Sequence, residues 1–193
     1  YIADLEQRMG KKFGGAKPLL LSVRSGAKAS MPGMMDTILN IGINDKNLES
    51  LAEDLGDIVF ALDSYRRLMS AYGTLVLGIH SNVFDKILEN YPKLDNEKSL
   101  RDLVANFKEI ILEKTGADFP QDIRIQLKEG IVAVLESWMS DRAVIYRSLN
   151  NISEELGTAI NIQSMVFGNK GSNSATGVVF SRNPSTGEHV LYG

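Results

Sequence analysis

Apolar residues between positions 45 and 72 recur at steps of three and four, the clearest pattern in the chain. This spacing predicts one long helix with a single apolar stripe. We expect Asp45 to cap its N-terminus and Gly73 to mark its end. The stripe consists of Leu48, Leu51, Leu55, Ile58, Leu62, Tyr65, Met69 and Tyr72.

Shorter helical patterns lie on both sides of this segment. Ile2, Leu5 and Met9 predict a first helix that ends at Gly14 and Gly15. A capping-box-like pair, Ser99 and Asp102, predicts the start of another. Further helices are predicted over residues 83–88, after Pro120 as far as Trp138, and over residues 141–149.

Strand patterns occupy the two ends of the chain. A short apolar run over residues 19–23 predicts a buried strand, and order resumes over residues 38–43. After Gly157, apolar and polar residues begin to alternate. This pattern predicts strands over residues 158–167, 178–181 and 189–192 in an antiparallel meander. The predicted class is α+β, with a strand-loop unit, a large helical insertion and an incomplete antiparallel β subdomain.

Composition narrows the function without defining it. The 193 residues suit one large domain or two small ones, and a hydrophobic fraction of 44% supports a core. A net charge of −3 argues against nucleic acid as a partner. We expect no membrane span, and the absence of cysteine fits a reducing, cytoplasmic compartment. Tyr1 is not an initiator methionine, and the last residues, 191–193, lie within a predicted strand, so we expect a piece of a longer chain.

The segment over residues 23–37, VRSGAKASMPGMMDT, has the chemistry of a phosphate-binding loop. Its small residues let backbone N–H groups approach a phosphate, and Arg24 and Lys28 supply positive charge. Thr37 adds a hydroxyl group. Neither of the two common glycine-rich phosphate motifs is present. On residue chemistry alone, an ordinary Gly/Ser turn with a surface arginine explains the segment equally well.

The order of the residues is more specific than their chemistry. LLSVRSGAKASMPGMMDTILNIG resembles the corresponding stretch of the pyruvate, phosphate dikinase family. The resemblance continues in DSYRRLMSAYG, in YRSLNNISEELGTAINIQSMVFGN and in TGVVFSRNPSTGE, in the same order along most of the chain. The related phosphoenolpyruvate synthases, which are water dikinases, are the alternative; they share the arginine, but their loops lack the SMPGMMDT run, which disfavours them.

This resemblance implies an ATP-grasp-like nucleotide-binding domain, with ATP and Mg²⁺ as cofactors. Residues 1–44 and 129–157 would form the first subdomain, and residues 45–128 the helical insertion. Residues 158–193 would begin the second subdomain, whose β structure cradles the nucleotide. The family's acidic metal ligand would lie beyond Gly193, so no metal ligand is assigned to this chain.

The resemblance also assigns individual residues to nucleotide binding. The residues carried over are Arg24, Lys28, Gly33, Thr37, Arg67, Gln163, Met165 and Val166. For Arg67, a surface ion pair with Asp63 on the same helix is an equal alternative. Asp36 either helps to place a metal or caps the segment that follows it.

The implied activity interconverts ATP, phosphate and pyruvate with AMP, pyrophosphate and phosphoenolpyruvate. A phosphohistidine on another domain would carry the phosphoryl group, so no catalytic residue is assigned here. The implied partners are the phosphohistidine and pyruvate-binding domains of the same parent chain, and the parent is expected to be a homodimer. The piece alone is predicted to be inactive. The alternative to an enzyme part is an isolated structural module without activity by itself.

Overall fold

The computed structural model describes residues 1–171 and 173–193 of the chain. Helices and strands are both present over these residues, which confirms the predicted α+β class. The helices are α1 (Ile2–Met9), α2 (Leu48–Leu55), α3 (Ile58–Leu75), α4 (Ser81–Leu88), α5 (Glu97–Thr115), α6 (Ile123–Glu136) and α7 (Asp141–Leu149). Two short 3₁₀ helices span Ser137–Met139 and Glu154–Leu156, and the strands are β1 (Leu21–Ser25), β2 (Thr37–Ile41) and β3 (Ile160–Ser164).

The three strands form one antiparallel sheet in the order β2-β1-β3. Successive side chains of a strand point to opposite faces, so the sheet has two different surfaces. One face carries Leu21, Val23 and Ile38, all buried in the main core, and it packs against α3 and α6. The opposite face, called here the open face, carries exposed polar residues. These are Arg24 on β1, Thr37 on β2, and Asn161 and Gln163 on β3.

The long helix predicted between residues 45 and 72 is two helices, α2 and α3. Gly56 ends α2 in the left-handed conformation, with φ 73°. Asp57 then begins α3, because its carboxylate accepts a hydrogen bond from the Phe60 N–H at 3.0 Å. The apolar stripe continues across the break, since Leu55 and the residues of α3 pack into the same core.

The predicted ends of that helix are also wrong. Asn47, not Asp45, occupies the N-cap position of α2. The Asp45 carboxylate instead accepts hydrogen bonds from the Tyr65 hydroxyl at 2.9 Å and from Lys108. Gly73 lies inside α3, where an added Cβ would stand 2.4 Å from the Phe84 ring. Glycine is therefore needed here for close packing of α4.

Two other helix boundaries differ from the prediction. The first helix ends at Met9, because Gly10 takes the left-handed conformation with φ 63°, ahead of the predicted Gly14 and Gly15. The α5 helix begins at Glu97 and not at Ser99. Its cap is Asn96, whose side-chain oxygen accepts from the Ser99 N–H at 2.9 Å.

The predicted helix after Pro120 begins later and ends earlier. Asp122 caps α6 by accepting from the Arg124 N–H at 2.8 Å, so Pro120 precedes the helix. Trp138 belongs to the following 3₁₀ helix rather than to α6. The prediction of a helix over Asp141–Leu149 is confirmed.

The strand predicted over residues 158–167 is confirmed in its central part as β3. Its pairing differs from the prediction, because β3 pairs with β1 rather than with the tail. In the described part of the tail, the predicted strands are reduced to one isolated bridge between Phe180 and Tyr192. The division into subdomains stays a prediction, and β3 shares its sheet with strands from the first 44 residues.

Two tyrosines of α3 anchor the helical part of the core. Tyr65 and Tyr72 are fully buried, and both meet the Phe119 ring edge-on, with centroids 5.9 and 5.5 Å apart. The Tyr72 hydroxyl donates to the Glu129 carboxylate, as the Tyr65 hydroxyl does to Asp45. None of the described helices combines the length and the apolar character that a bilayer span requires.

Candidate functional site

The loop between β1 and β2, residues 26–36, lines an open cavity of about 400 Å³ together with the adjoining ends of both strands. Two cations, Arg24 and Lys28, belong to its lining, and none of the described lining residues is acidic. The lining consists of Arg24, Ser25, Gly26, Ala27, Lys28, Ala29, Ser30, Met31, Pro32, Gly33, Met35 and Thr37. A cavity with this charge favours an anionic ligand.

Arg24 stands at the centre of the open face, beside the cavity. Its backbone pairs with Thr37 on one side and with Asn161 on the other. Residues paired directly across antiparallel strands project to the same face, so these three side chains are neighbours. The exposed Arg24 guanidinium can therefore present its planar fork of donors to an oxyanion at the cavity.

The first half of the loop leaves backbone donors available. Within residues 1–171 and 173–193, the amide N–H groups of Lys28, Ala29 and Ser30 meet no acceptor. The loop is tied down on both sides of them, because the Gly26 N–H donates to the Ala159 carbonyl at 2.7 Å and Met34 donates to Met31. Successive unpaired amides in a loop bind phosphate oxygens well.

Gly26 allows β3 to approach the start of the loop. An added Cβ at this position would stand 2.8 Å from the Asn161 side-chain nitrogen, which is closer than real Cβ contacts allow. The Asn161 amide therefore occupies the space beside the loop and next to Arg24. Gly33 serves the loop differently, because its left-handed φ of 71° makes the turn after Pro32.

Asp36 neither caps a helix nor faces the cavity. Its carboxylate forms an ion pair with Arg142, and its backbone N–H donates to the Ser137 hydroxyl at 3.1 Å. The capping prediction is wrong because the segment that follows, β2, is a strand. Among the described residues, no group of three or more His, Cys, Asp or Glu side chains could hold a metal ion.

Sequence reasoning missed the residues behind the loop. Ser137, Trp138 and Arg142 contact its second half, although they lie about a hundred positions further along the chain. Their local sequence predicts only an ordinary helix end and helix start. Such contacts carry no local signal, since they arise from tertiary structure: α6 packs against the sheet, and α7 packs against the 3₁₀ helix that follows α6.

Arg67 lies apart from the cavity. It is on α3, where its Nε donates to the Asp63 carboxylate at 2.6 Å, and its side chain is 63% exposed. Arg66 binds the other oxygen of the same carboxylate. The structure therefore contains the ion pair considered as the alternative, and a role for Arg67 in nucleotide binding stays a prediction.

The predicted adenine-binding residues are only partly brought together. Gln163 lies on the open face of β3 and is exposed, two positions along the strand from Asn161. Met165 follows the end of β3 and packs against the main core, whereas Val166 is 81% exposed. The β3 strand ends at Ser164, although the Met165 N–H still donates to the Leu20 carbonyl at 2.8 Å. Their roles stay predictions.

Comparison with known proteins shows similarity along the whole chain. The family model described as "Pyruvate phosphate dikinase, AMP/ATP-binding domain" matches residues 1–192. The chain is 50% identical over 201 residues to pyruvate, phosphate dikinase of Rhizobium meliloti (strain 1021), covering 100% of this chain and 22% of that protein. It is 47% identical to the Clostridium symbiosum protein of the same name, with 100% and 23% covered. The chloroplastic protein of Mesembryanthemum crystallinum is 50% identical, with 98% and 21% covered.

Proposed function

We propose that the 26–36 loop holds the phosphates of ATP or AMP, since the chain belongs to the pyruvate phosphate dikinase AMP/ATP-binding domain family. One observation carries the proposal: the amides of Lys28, Ala29 and Ser30, which meet no acceptor among the described residues, border a cavity whose described lining holds two cations and no acid. Backbone amides and an arginine fork are the donors that phosphate oxygens require. The geometry fits a phosphate chain better than a neutral ligand.

The remaining residues fit around this phosphate site. Thr37 brings its hydroxyl beside Arg24, and the turn at Gly33 closes the far end of the loop. Gln163 lies further along the same open face, where it would meet the base or ribose. We include Met165 and Val166 in the adenine site and Arg67 in phosphate handling on the strength of the family resemblance. The ATP-grasp-like arrangement of two subdomains around the nucleotide is part of this proposal.

The described residues do not by themselves fit a bound Mg²⁺. Magnesium prefers carboxylate oxygens and phosphate oxygens as ligands. The one carboxylate of the loop, Asp36, is engaged by Arg142, and the described lining residues of the cavity include no acid. We therefore assign the chain's own part of the chemistry to Arg24, Lys28 and the loop amides, which bind the phosphates.

The chain spans about 22% of the length of the curated relatives that it matches. We propose that it supplies the nucleotide-binding part of a pyruvate, phosphate dikinase, which interconverts ATP, phosphate and pyruvate with AMP, pyrophosphate and phosphoenolpyruvate. Enzymes of phosphoryl transfer act largely by positioning and by charge neutralisation, which is the contribution the loop can make. A phosphohistidine domain, a pyruvate-binding domain, a homodimeric parent and a cytoplasmic location complete the proposal.

Replacement of Arg24 tests the phosphate assignment. A hydrogen bond to a charged group is worth about 1.5–3 kcal/mol. Arg24→Ala should therefore weaken ATP binding by about tenfold to a hundredfold. Titration calorimetry with ATP and with AMP, on the complete protein that carries this chain, measures the change.

A matched control makes the result specific. Arg8→Ala removes an arginine of α1 whose only ion pair among the described residues, with Asp4, is exposed and therefore weak. This variant should leave the affinity for ATP unchanged. Equal affinities for Arg24→Ala and the unaltered protein would exclude Arg24 from the site. A loss confined to ATP would place Arg24 at the β- or γ-phosphate, whereas an equal loss for AMP would place it at the α-phosphate.

A further inference from the structure

The second half of the 26–36 loop rests on a support made by the 3₁₀ helix Ser137–Met139 and α7. The Ser137 hydroxyl accepts from the Asp36 N–H at 3.1 Å. Arg142 contacts the loop at two places, because its Nε donates to the Met34 carbonyl at 3.0 Å and its terminal nitrogen pairs with the Asp36 carboxylate. One arginine side chain thus links the backbone and the side chain of two loop residues.

An apolar contact adds to this support. Met31 is buried against Trp138 and Ala143, in a small cluster separate from the main core. Ala27, Met34 and Met35 pack around the same cluster. Both the polar and the apolar contacts concentrate on residues 31–36, whereas the amides that we assign to phosphate belong to residues 28–30.

Trp138 is itself held from the side of α7. The fully buried Arg147 guanidinium stands 4.1 Å from the centre of the Trp138 ring and donates to the Trp138 carbonyl. Its Nε and second terminal nitrogen have no acceptor among the described residues. Burying a guanidinium with unmet donors opposes stability, so this contact is not explained by a gain in core stability alone.

We propose that Arg142 is a positioning residue for the phosphate loop. By fixing Met34 and Asp36, it sets the path of the loop so that the amides of residues 28–30 converge with Arg24 on the cavity. Asp36 directly precedes Thr37, the strand partner of Arg24, so a shift at Asp36 moves the neighbour of the phosphate-binding arginine. This inference rests on the proposed nucleotide function, and it adds a residue that does not touch the ligand.

Pre-organisation gives the expected size of the effect. A loop that is held in its binding conformation loses less freedom when the ligand arrives, and small misplacements of binding groups cost large factors in affinity. Arg142→Ala should therefore lower the affinity for ATP by about tenfold. Arg142→Lys should recover only part of the loss, because an ammonium group cannot copy the planar fork that joins both contacts.

The chain offers a close control for a merely structural ion pair. Arg101 also bonds two partners, Glu97 and Glu49, and its side chain is 42% exposed, against 49% for Arg142. Arg101→Ala should change the midpoint of thermal unfolding about as much as Arg142→Ala does, without any change in ATP affinity. If the two variants bind ATP equally well, Arg142 is an ordinary surface pair and the inference is overturned.

Trp138 provides a readout that a general loss of stability would not move. It is the one tryptophan of the sequence, and it contacts both the loop and Arg147. In the complete protein, with any tryptophan outside these 193 residues replaced by Phe, Arg142→Ala should shift the Trp138 emission spectrum and its response to added ATP, whereas Arg101→Ala should leave both unchanged. Asp36→Asn, which keeps the shape of the side chain, should reproduce the Arg142→Ala effect, and it decides the question if Arg142→Ala does not fold.

The failure of this inference can be told apart from that of the proposed function. Loss of ATP affinity in Arg24→Ala, with no loss in Arg142→Ala or Asp36→Asn, would retain the nucleotide site and overturn the positioning role. Unchanged affinity in Arg24→Ala as well would overturn both. Combining Asp36→Asn with Arg142→Ala should add little to either single change, because each removes the same contact.

Discussion

At the scale of single residues, the site depends on small side chains as much as on charged ones. Gly26 lets the Asn161 amide lie beside the start of the loop, where a Cβ would stand 2.8 Å from the amide nitrogen. The conflict involves the end of a flexible side chain, so the fold can absorb a methyl group by moving Asn161. The cost of a larger residue should fall on the site rather than on stability.

Gly26→Ala should therefore lower ATP affinity by about tenfold while leaving the unfolding midpoint nearly unchanged, because it displaces Asn161 beside Arg24. Calorimetry and thermal unfolding measure the two effects. Gly177→Ala is the matched control, since an added Cβ there meets nothing within 4 Å. If Gly26→Ala binds ATP as tightly as the unaltered protein, the position of Asn161 does not matter for ligand binding.

Residue order predicted the phosphate loop but not its support. The 23–37 segment is contiguous, so its glycine, serine and cationic residues can be interpreted together. The partner of Asp36 could not be found in this way, because Arg142 joins it only through the packing of α7 behind the loop. Charged groups separated by most of the chain become neighbours only after the core has formed.

At the scale of elements, hydrophobic spacing identified helices better than it located their ends. The stripe of residues 45–72 crosses the break between α2 and α3 because both helices bury their apolar side in one core. Gly56 and the Asp57 cap are the physical cause of the break. The spacing of apolar residues does not change at these two positions, so it could not predict the break. Gly73 does not end the helix as predicted, because glycine also occurs inside helices where a neighbouring side chain approaches closely.

Two helical glycines allow this close-packing role to be tested. Gly73→Ala should destabilise the fold by about 1–3 kcal/mol, because the new methyl group meets the buried Phe84 ring at 2.4 Å and this overrides the better helix propensity of alanine. Gly130→Ala on α6 should cost less, since its nearest contact, Ile41 Cδ1, is 3.1 Å away and can move. Urea unfolding measures the loss of stability in each variant. Equal losses in Gly73→Ala and Gly130→Ala would show that α4 moves to accommodate the methyl group.

At the scale of the whole molecule, the buried tyrosines tie stability to pH. Burial raises the pKa of Tyr65 and of Tyr72, and the hydrogen bonds to Asp45 and Glu129 act in the same direction. A raised pKa in the folded state means that the neutral hydroxyl is favoured there. Stability from this source is fully present below the ordinary tyrosine pKa of about 10, and it is lost as the pH rises above that value.

We therefore expect the free energy of unfolding to fall steeply above about pH 10. Tyr72→Phe should lower stability at neutral pH through loss of the Glu129 hydrogen bond, and it should flatten the alkaline decline. Urea titrations from pH 8 to 11 follow both effects. Tyr1→Phe, at a fully exposed position, should alter neither, and an unchanged slope in Tyr72→Phe would contradict the assignment.

The pairing of β1 with β3 has a consequence for how the molecule is made. The central strand of the sheet comes early in the chain, and one of its two neighbours comes after all seven described helices. During synthesis, the helices and the β1-β2 hairpin can assemble from local contacts, but the Arg24 side of the sheet stays an unpaired edge until residues 160–164 have left the ribosome. We therefore expect the helical core of the nascent chain to form before the sheet face that carries Arg24 is complete.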